Sequence, residues 1–402
     1  MSFDTTSLFR SGLPPAEQQW SPAPRFSFVG GNNDADNVPF GGLAEAAVAV
    51  LRREGTTLAT YNLGGGPQGY DPLREFICHK LGTRAHMACD PAQVLVTSGS
   101  LQALDLVNGV FLEPGDTVIV EQATYGGMLS RLTRLGVDVV GAELDGDGIR
   151  TDALADQLAA LTAAGKRPKY IYTIPTVQNP TGTVMPLQRR RELLELARAH
   201  GVLIFEDDCY ADLLWSDERP PTIRSLDGDG GHVVYCGSFS KSIAPALRVG
   251  YVVADWPVLA RMLALKTDAG SGALEQMVLA EYAASHFDSH VDQLRSVLRT
   301  KCEAMMAAVA DSFGGTATVV APRGGIFLWL AFPDGIDTGA LAGPAAAEGI
   351  EFNPGAGWSA DPAWGRTRLR LCFGAPSHET IRDGVAALAA VFAREAGLAV
   401  GR

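Results

Sequence analysis

A lysine placed between two apolar, β-prone runs sets strong limits on how this chain folds. Val233–Tyr235 comes first, a small-residue bend runs from Gly237 to Ser240, Lys241 ends the bend, and Arg248 opens the next apolar run. Glycine and serine in a bend let a ligand approach the backbone closely. A desolvated lysine has a lowered pKa, and its amine then attacks aldehydes. The segment predicts strand, loop and strand around a reactive amine, although a solvated loop lysine also fits this segment alone.

Apolar runs and helical segments alternate along the middle of the chain. The predicted strands include Gln93–Thr97, Thr117–Val120, Val137–Val140, Lys169–Ile174 and Val202–Phe205. The predicted helices between them include Leu101–Leu112, Leu129–Leu135 and Leu187–His200. Such alternation is typical of a mostly parallel sheet with helices on both faces. Beyond this region the sequence predicts helices at Met277–Ser285 and Val291–Phe313 and strands at Gly325–Phe332 and Arg366–Phe373.

Composition argues against several classes of protein. The chain has 402 residues and a net charge of −12 without a lysine- or arginine-rich run, so nucleic acid is not an expected partner. Six scattered cysteines form no Cys-x-x-Cys pair, which argues against a zinc site or a disulfide framework and fits a cytoplasmic protein. His286 and His290 have no third ligand nearby in sequence, so we interpret them as surface residues. We expect neither a signal peptide nor a membrane span.

Two turns have the composition of an anion site. Ser98, Gly99 and Ser100 separate a strand from a helix, and this arrangement points free backbone N–H groups at an anion. An ordinary serine-capped turn fits the same residues. Tyr61 precedes a run of three glycines, which fits either a phosphate cradle or a flexible crossing loop. Asp71 followed by Pro72 predicts a helix that has Asp71 as its N-cap.

Polar and charged side chains cluster at the ends of other strands. Asp207 lies between two further acids at the carboxyl end of a buried strand, the edge where open α/β sheets bind ligands. Asn179 follows another strand within Gln-Asn-Pro-Thr-Gly, which by itself is ordinary turn chemistry. Arg366, Arg368 and Arg370 share a strand face by period-two alternation. A solvated face fits two of them, and a guanidinium is well suited to bind a carboxylate.

Together these segments resemble the class I/II aminotransferases, the fold-type I enzymes that use pyridoxal 5′-phosphate (PLP), and within them the aromatic and 2-aminoadipate subgroup. The resemblance rests on Gly-Ser-Phe-Ser-Lys before Arg248, Gln-Asn-Pro-Thr-Gly, Asp207 three residues before Tyr210, and Arg370 in Arg-Leu-x-Phe. It covers the chain from about 28 to 373. It implies an α/β fold with a large, mostly parallel-sheet PLP domain and a smaller α/β domain.

The domain limits that follow are an N-terminal arm at 1–54 that joins the small domain, a large domain at 55–290 and a small C-terminal domain at 291–402. The resemblance also implies roles for individual residues. Lys241 carries PLP as a Schiff base and moves the substrate Cα proton, while Asp207 keeps the pyridine nitrogen protonated. Tyr210 and Asn179 hold the 3-oxygen of PLP.

The remaining site residues are also implied by the resemblance. Tyr125 stacks on the pyridine ring, and Tyr61 reaches the phosphate from a second subunit of a homodimer. The other implied cofactor contacts are Ser98, Gly99, Ser100, Leu101, Ser238, Ser240 and Arg248. Arg370 binds the substrate carboxylate, with Asn179 and Gly31 beside it. No metal is expected.

The expected reaction moves an amino group from an α-amino acid to a 2-oxo acid, and 2-oxoglutarate is the acceptor that the resemblance implies. The sequence has no evident second arginine for a side-chain carboxylate, so we expect apolar or aromatic donors. Another PLP reaction on the same fold remains an alternative: a β-lyase, a decarboxylase or an oxidative enzyme. A PLP-sensing domain of a transcription regulator is the second alternative. Fewer than about 40 residues precede the matched region, too few for a winged helix.

Overall fold

We analysed a computed structural model of the chain. It describes residues 3–10, 12–14, 16–17, 19, 22 and 24–399. Part of the N-terminal arm expected at 1–54, and the end of the small domain expected at 291–402, therefore lie outside the described residues.

The described residues alternate between helices and strands along most of the chain. Their helices are α1 Phe40–Glu54, α2 Asp71–Ala85, α3 Ser100–Phe111, α4 Gly126–Leu135, α5 Thr151–Ala163, α6 Leu187–His200, α7 Ile223–Asp227, α8 Trp256–Leu265, α9 Ala273–Phe313, α10 Thr338–Ala347, α11 Pro362–Gly365 and α12 His378–Ala396. Their strands are β1 Phe26–Ser27, β2 Val94–Ser98, β3 Thr117–Glu121, β4 Asp138–Ala142, β5 Leu144–Asp145, β6 Gly148–Ile149, β7 Tyr170–Thr173, β8 Leu203–Asp207, β9 Val233–Ser238, β10 Val249–Val253, β11 Thr318–Val319, β12 Phe327–Ala331, β13 Ile350–Glu351, β14 Asn353–Pro354 and β15 Arg368–Cys372.

A seven-stranded sheet forms the centre of the larger part of the molecule, in the order β2-β10-β9-β8-β7-β3-β4. Strands β4, β3, β7, β8 and β9 are parallel, and β10 runs antiparallel to both of its neighbours. Strands β3, β7, β9 and β10 are buried along their whole length, which explains their nearly continuous apolar sequences. The α/β fold with a mostly parallel sheet is therefore confirmed.

The antiparallel β10 matters for the site because of what its register brings together. Val249 pairs with Ser98, and Gly250 pairs with both Thr97 and Ser238. The residue before β10, Arg248, therefore lies beside the carboxyl ends of β2 and β9. These ends share one edge of the sheet with the ends of β3, β7 and β8, and ligands bind at such an edge.

A four-stranded antiparallel sheet, in the order β11-β12-β15-β14, forms the second part. The N-terminal arm contributes to this part, because Phe26 pairs with Ile350 and Ser27 with Glu351. Arg366 lies before β15 instead of within it, so the prediction of three arginines on one strand was wrong for this residue.

The helices expected at 277–285 and 291–313 are one continuous helix, α9. The predicted break was wrong because Tyr282, Phe287, Val291 and Leu294 continue the buried stripe through a segment whose polar residues face solvent. Helix α2 begins at Asp71 and has Tyr70 as its N-cap. Asp71, the predicted N-cap, is therefore the first helical residue, and the predicted start of the helix was one residue too late.

The proposed domain limits, 55–290 and 291–402, remain a prediction, and the two sheets lie on either side of residue 290. All strands of the large sheet lie between 94 and 253, and those of the small sheet lie between 318 and 372. Helix α9 runs through the limit at 290. None of the described helices is both long and apolar enough to cross a bilayer.

Candidate active site

A cavity of about 370 Å³ lies at the carboxyl edge of the large sheet, where the arm and the small sheet meet it. Its described lining is Gly30, Gly31, Ser100, Leu101, Tyr125, Gly127, Ile174, Asn179, Asp207, Cys209, Tyr210, Ser240, Lys241, Pro245, Arg248, Phe327, Asn353, Trp358 and Arg370.

Lys241 follows β9 and points its amine into this cavity. Its Nζ donates to the carbonyl of Gly31 at 2.7 Å, a contact between residues 210 positions apart. Burial lowers the pKa of Lys241, and the positive charges of Arg370 and Arg248 act in the same direction. A lysine with a lowered pKa has a larger fraction of free amine at neutral pH, so it is suited to attack an aldehyde and to move a proton. The solvated-loop interpretation of this lysine does not hold.

Asp207 ends β8 and lies on the cavity side. Its Oδ2 accepts from the hydroxyl of Tyr172 at 2.7 Å, and its Oδ1 accepts from the backbone N–H of Cys209 at 3.2 Å. Burial raises the pKa of Asp207, while the bond from Tyr172 and the bond from Cys209 lower it. A buried carboxylate without a cation is costly, so this site favours a positively charged partner at Asp207.

The two acids beside Asp207 face away from the cavity. Glu206 accepts from the backbone N–H groups of Ile223 and Arg224 at the start of α7, at 2.9 and 2.8 Å. Burial and the charge of Asp208 raise the pKa of Glu206 to about 7. Asp208 pairs with the guanidinium of Arg219 and accepts from the hydroxyl of Tyr235. Only Asp207 of the three is available to a ligand in the cavity.

Asn179 and Tyr210 lie together opposite Lys241. The amide Nδ2 of Asn179 donates to the hydroxyl of Tyr210 at 3.4 Å, and its Oδ1 accepts from Arg370 at 3.2 Å. Both residues are buried, and burial raises the pKa of Tyr210 well above its usual value. Tyr210 is therefore a neutral hydroxyl at physiological pH, able to donate to an oxygen of a ligand.

Arg370 is 2% exposed and is held between two aromatic rings. Its guanidinium carbon lies 3.6 Å from the ring centre of Trp358 and 3.8 Å from that of Phe327. One terminal nitrogen donates to Asn353 and to the carbonyl of Gly30, both at 2.7 Å. The Nε is buried without a hydrogen-bond partner, and burial lowers the pKa of the group to about 10. A guanidinium in this state is well placed to accept a carboxylate.

The opposite end of the cavity has the features of an anion site. Helix α3 starts at Ser100 directly after Gly99, so its free N–H groups are available there. Arg248 donates to the carbonyl of Ser98 at 3.3 Å and to the hydroxyl of Ser240 at 3.4 Å. Gly99 has φ +76 and touches the guanidinium of Arg248 so closely that a Cβ would collide with it.

The aromatic ring of Tyr125 closes one side. Tyr125 lies after the carboxyl end of β3 and is the N-cap of α4. Its ring centre lies 5.8 Å from that of Trp358. Ser238 lies outside the lining, and its hydroxyl accepts from the N–H of Ser240 at 3.1 Å. Ser98 directs its hydroxyl to Ser271, and Tyr61 is 82% exposed at a distance from the cavity.

Gly99 is not part of the lining either, although it contacts the guanidinium of Arg248. The structure brings the remaining implied residues to one cavity: Gly31, Ser100, Leu101, Tyr125, Asn179, Asp207, Tyr210, Ser240, Lys241, Arg248 and Arg370. Sequence reasoning missed Tyr172, Phe327, Asn353 and Trp358. Tyr172 carries a signal in hindsight, because it is a buried hydroxyl-bearing residue on β7, the strand that pairs with the one that ends at Asp207. Trp358 carries none, because the segment that bears it is joined to the cavity only by tertiary packing.

These groups fit PLP on the geometry alone. The cavity offers an amine at Lys241, a carboxylate in need of a cation at Asp207, hydroxyl and amide donors at Tyr210 and Asn179, and an anion site with Arg248 at the far end. A planar pyridinium with a phosphate and an aldehyde matches each of these in turn.

Comparison with known proteins agrees with this assignment. The family "Aminotransferase class I and II" matches residues 32–388. The chain is 34% identical over 363 residues to the 2-aminoadipate transaminase of Thermus thermophilus, covering 89% of this chain and 88% of that protein. It is 32% identical over 373 residues to aromatic-amino-acid aminotransferase 1 of Thermococcus litoralis, covering 92% and 88%.

A solved structure gives the same result in three dimensions. The α-aminoadipate aminotransferase of Thermus thermophilus, complexed with N-(5′-phosphopyridoxyl)-L-leucine, superposes with a TM-score of 0.85 at 32% identity over 93% of both chains. The chain therefore belongs to the class I and II aminotransferases and is a PLP-dependent enzyme that transfers amino groups.

Proposed function

We propose that this enzyme transfers the amino group of an apolar or aromatic α-amino acid to a 2-oxo acid such as 2-oxoglutarate. The observation that carries the proposal is Arg370, a buried guanidinium with a free Nε between two aromatic rings. Its charge suits the α-carboxylate, and the rings beside it suit an apolar side chain.

Each residue of the cavity has a task in this proposal. When bound, PLP supplies an electron sink that makes the Cα proton of an amino acid removable. Arg370 holds the substrate carboxylate, and the free amine of Lys241 takes the proton from Cα, which leaves Lys241 as an ammonium that can give the proton up again. Asp207 keeps a cationic ring nitrogen protonated, and Asn179 and Tyr210 orient the ring by its 3-oxygen.

The phosphate contacts follow from the anion site. The N-terminus of α3 at Ser100 and the side chains of Ser240 and Arg248 hold the phosphate, with Gly99 shaping the turn. Leu101 and Tyr125 border the ring. Ser98 and Ser238 support this loop through their backbone and hydroxyl contacts, and Gly31 accepts from Lys241 on the substrate side.

The substrate class rests on the character of the lining. Among the described lining residues the cations are Lys241, Arg248 and Arg370, and each already has a task. The wall near Arg370 is aromatic, formed by Tyr125, Phe327 and Trp358. One named relative acts, by its name, on aromatic amino acids, and another acts on 2-aminoadipate, which carries a second carboxylate. Among the described lining residues no cation is left over for a second carboxylate, so the lining favours apolar or aromatic donors.

A screen of amino donors against 2-oxoglutarate and pyruvate tests the proposal. We expect phenylalanine, tyrosine or leucine with 2-oxoglutarate to give the highest kcat/KM, and aspartate to give a low one. Release of ammonia, carbon dioxide or peroxide from a single amino acid without a 2-oxo acid would instead indicate a β-lyase, a decarboxylase or an oxidative enzyme. PLP binding without any turnover, together with retention of a DNA fragment, would indicate the regulator alternative.

We also propose a homodimer in which Tyr61 reaches the partner's phosphate. Tyr61 is 82% exposed, and apolar residues near it in sequence, Val48, Leu51 and Leu58, are each more than 40% exposed. An apolar surface of this kind is typical of an interface with a second copy. Light scattering at assay concentration should give twice the chain mass, and a fully active monomer would contradict the shared site.

A cytoplasmic location is the last part of this proposal. All six cysteines are free thiols, and four of them are buried. Free thiols of this kind persist in a reducing compartment. Fractionation of the source cells, with an antibody to the enzyme, tests the location directly.

A further inference from the structure

Two cysteines far from the cavity face each other across a loop. Cys78 lies on α2, and Cys89 lies in the segment that joins α2 to β2. Their Sγ atoms are 2.9 Å apart although the residues are 11 positions apart in sequence. Both side chains are partly exposed, so a small reagent reaches them. Neither residue is part of the described lining of the cavity.

The electrostatics of the pair divide the two sulfurs into different roles. The hydrogen bond between them lowers the pKa of Cys89 and raises that of Cys78, and the positive charge of Arg224 lowers the pKa of Cys89 further. Burial and the charge of Asp90 act against this lowering. The thiolate is the form that attacks disulfides, and the charge of Arg224 favours it on Cys89, so we infer that Cys89 attacks first and Cys78 resolves.

A second pair of cysteines provides the contrast within the same chain. Cys209 and Cys236 also lie close, since their sulfurs and the Asp207 carboxylate are within 4.8 Å of one another. Cys236 is fully buried, Cys209 is 8% exposed and lines the cavity, and the pKa of each is raised. This pair has proximity with little exposure and without a stabilised thiolate. Of the two pairs, Cys78 and Cys89 combine proximity, partial exposure and a lowered thiol pKa at one sulfur.

We propose that Cys78 and Cys89 form a reversible disulfide site that low-molecular-weight disulfides oxidise. The thiolate of Cys89 attacks one sulfur of a small disulfide RSSR and expels RS⁻, leaving Cys89 bonded to SR. Cys78 then loses its proton and attacks the Cys89 sulfur, and the second RS⁻ leaves. Two protein thiols are oxidised by two electrons, and one RSSR is reduced to two RSH.

The bond joins the middle of α2 to the segment before β2. His86, in the left-handed conformation at the end of α2, turns the chain back so that the two sulfurs meet. Closing this loop removes conformational freedom from the unfolded chain, so the oxidised enzyme should be more stable to heat. Lys80, two residues after Cys78 on the same helix, pairs with Asp212, and this ion pair links α2 to the segment after Tyr210.

Mass spectrometry of the PLP-loaded enzyme tests the proposal. The reduced enzyme is incubated with oxidised glutathione, blocked with N-ethylmaleimide, unfolded and digested without reductant. We expect one linked peptide pair through Cys78 and Cys89, lighter by two hydrogens than the reduced peptides and separated by dithiothreitol. Cys209 and Cys236 serve as the internal control and should be recovered as free thiols.

Two variants test the order of attack. Cys78→Ala should accumulate glutathione on Cys89, because the resolving sulfur is gone, whereas Cys89→Ala should leave Cys78 unmodified. The melting temperature of the wild type should rise on oxidation, and that of Cys78→Ala should not. Full maleimide labelling of both residues after glutathione treatment, or a link through any other cysteine, would overturn the proposal even if a variant failed to fold.

Discussion

The two ends of the cavity are built in different ways. At the cofactor end, Asp207 ends β8, Lys241 follows β9 and Arg248 precedes the antiparallel β10, so the register of these neighbouring strands in one sheet brings the three together. At the substrate end, Arg370 contacts Gly30, which is 340 positions away, and is held between side chains of two other segments. The cofactor end thus depends on strand-end motifs, and the substrate end depends on how the arm and the small sheet pack against the large one.

This difference predicts how each end responds to substitution. Changes at the cofactor end should affect every substrate equally, because they act on the shared chemistry. Changes at the substrate end should affect some substrates more than others, because they act on recognition.

Lys241→Ala should give the largest effect at the cofactor end. Loss of the amine removes the covalent link and the proton shuttle, so turnover should fall by more than about 10⁴-fold with every donor. The measurement is kcat with several donors, combined with borohydride reduction of the wild type and peptide mapping of the PLP adduct. An adduct on any other lysine would remove Lys241 from this role.

Asp207→Asn should give the next largest effect. PLP should remain bound, but the neutral amide no longer holds a cationic ring nitrogen, and kcat should fall on the order of 10²–10³-fold. Asp208→Asn is the matched control, because Asp208 faces Arg219 instead of the cavity. That variant should lose thermal stability and keep its turnover per folded enzyme. Near-normal kcat in Asp207→Asn would mean that another acid performs this role.

Arg370→Ala should separate the two ends most clearly. Loss of one partner of a desolvated charge pair costs roughly 2–5 kcal/mol, so kcat/KM for an amino acid should fall while that for its decarboxylated amine stays unchanged. Arg368→Ala is the matched control, because Arg368 lies on the same strand but stacks on Trp364. If the wild type already used the amine as well as the amino acid, this enzyme would be an amine transaminase.

Tyr172→Phe should give the smallest effect, on the order of tenfold in kcat, since a hydrogen bond to a charged group contributes about 1.5–3 kcal/mol. The Tyr172 hydroxyl lowers the pKa of Asp207. Its loss should raise the pKa of Asp207. When the pH is lowered, the variant should therefore lose activity at a higher pH than the wild type does. The measurement is the acidic limb of the pH profile of kcat.

Tyr170→Phe is the matched control for that experiment. Tyr170 lies on the same strand, but its hydroxyl donates to Asn108 at 2.6 Å, away from Asp207. It should change stability without moving the pH profile. Equal profiles for Tyr172→Phe and the wild type would show that Tyr172 does not act on Asp207.

Much of the cofactor end could be predicted from the sequence. Asp207 ends β8, Arg248 directly precedes β10, and Lys241 and Asn179 follow the ends of β9 and β7 within one short loop. The end of a buried strand is a position that periodicity locates to within a few residues. Even so, β8 extends to Asp207 instead of stopping at Phe205, because its pairing with β9 continues as far as Cys236. The predicted ends of the strands were therefore approximate, whereas the edge of the sheet at which these residues lie was the one that the sequence predicted.

The sequence by itself determined the alternation of strands and helices, the lysine between two strands, and hence the edge of the sheet at which the chemistry takes place. These are local properties, decided by the spacing of apolar residues and by glycine in turns. Tertiary structure alone decided that Trp358, Phe327 and Asn353 surround Arg370, that Glu206 and Asp208 turn away, and that Cys78 meets Cys89. Such contacts join segments that no periodicity links, because only the packing of the whole chain brings them within reach.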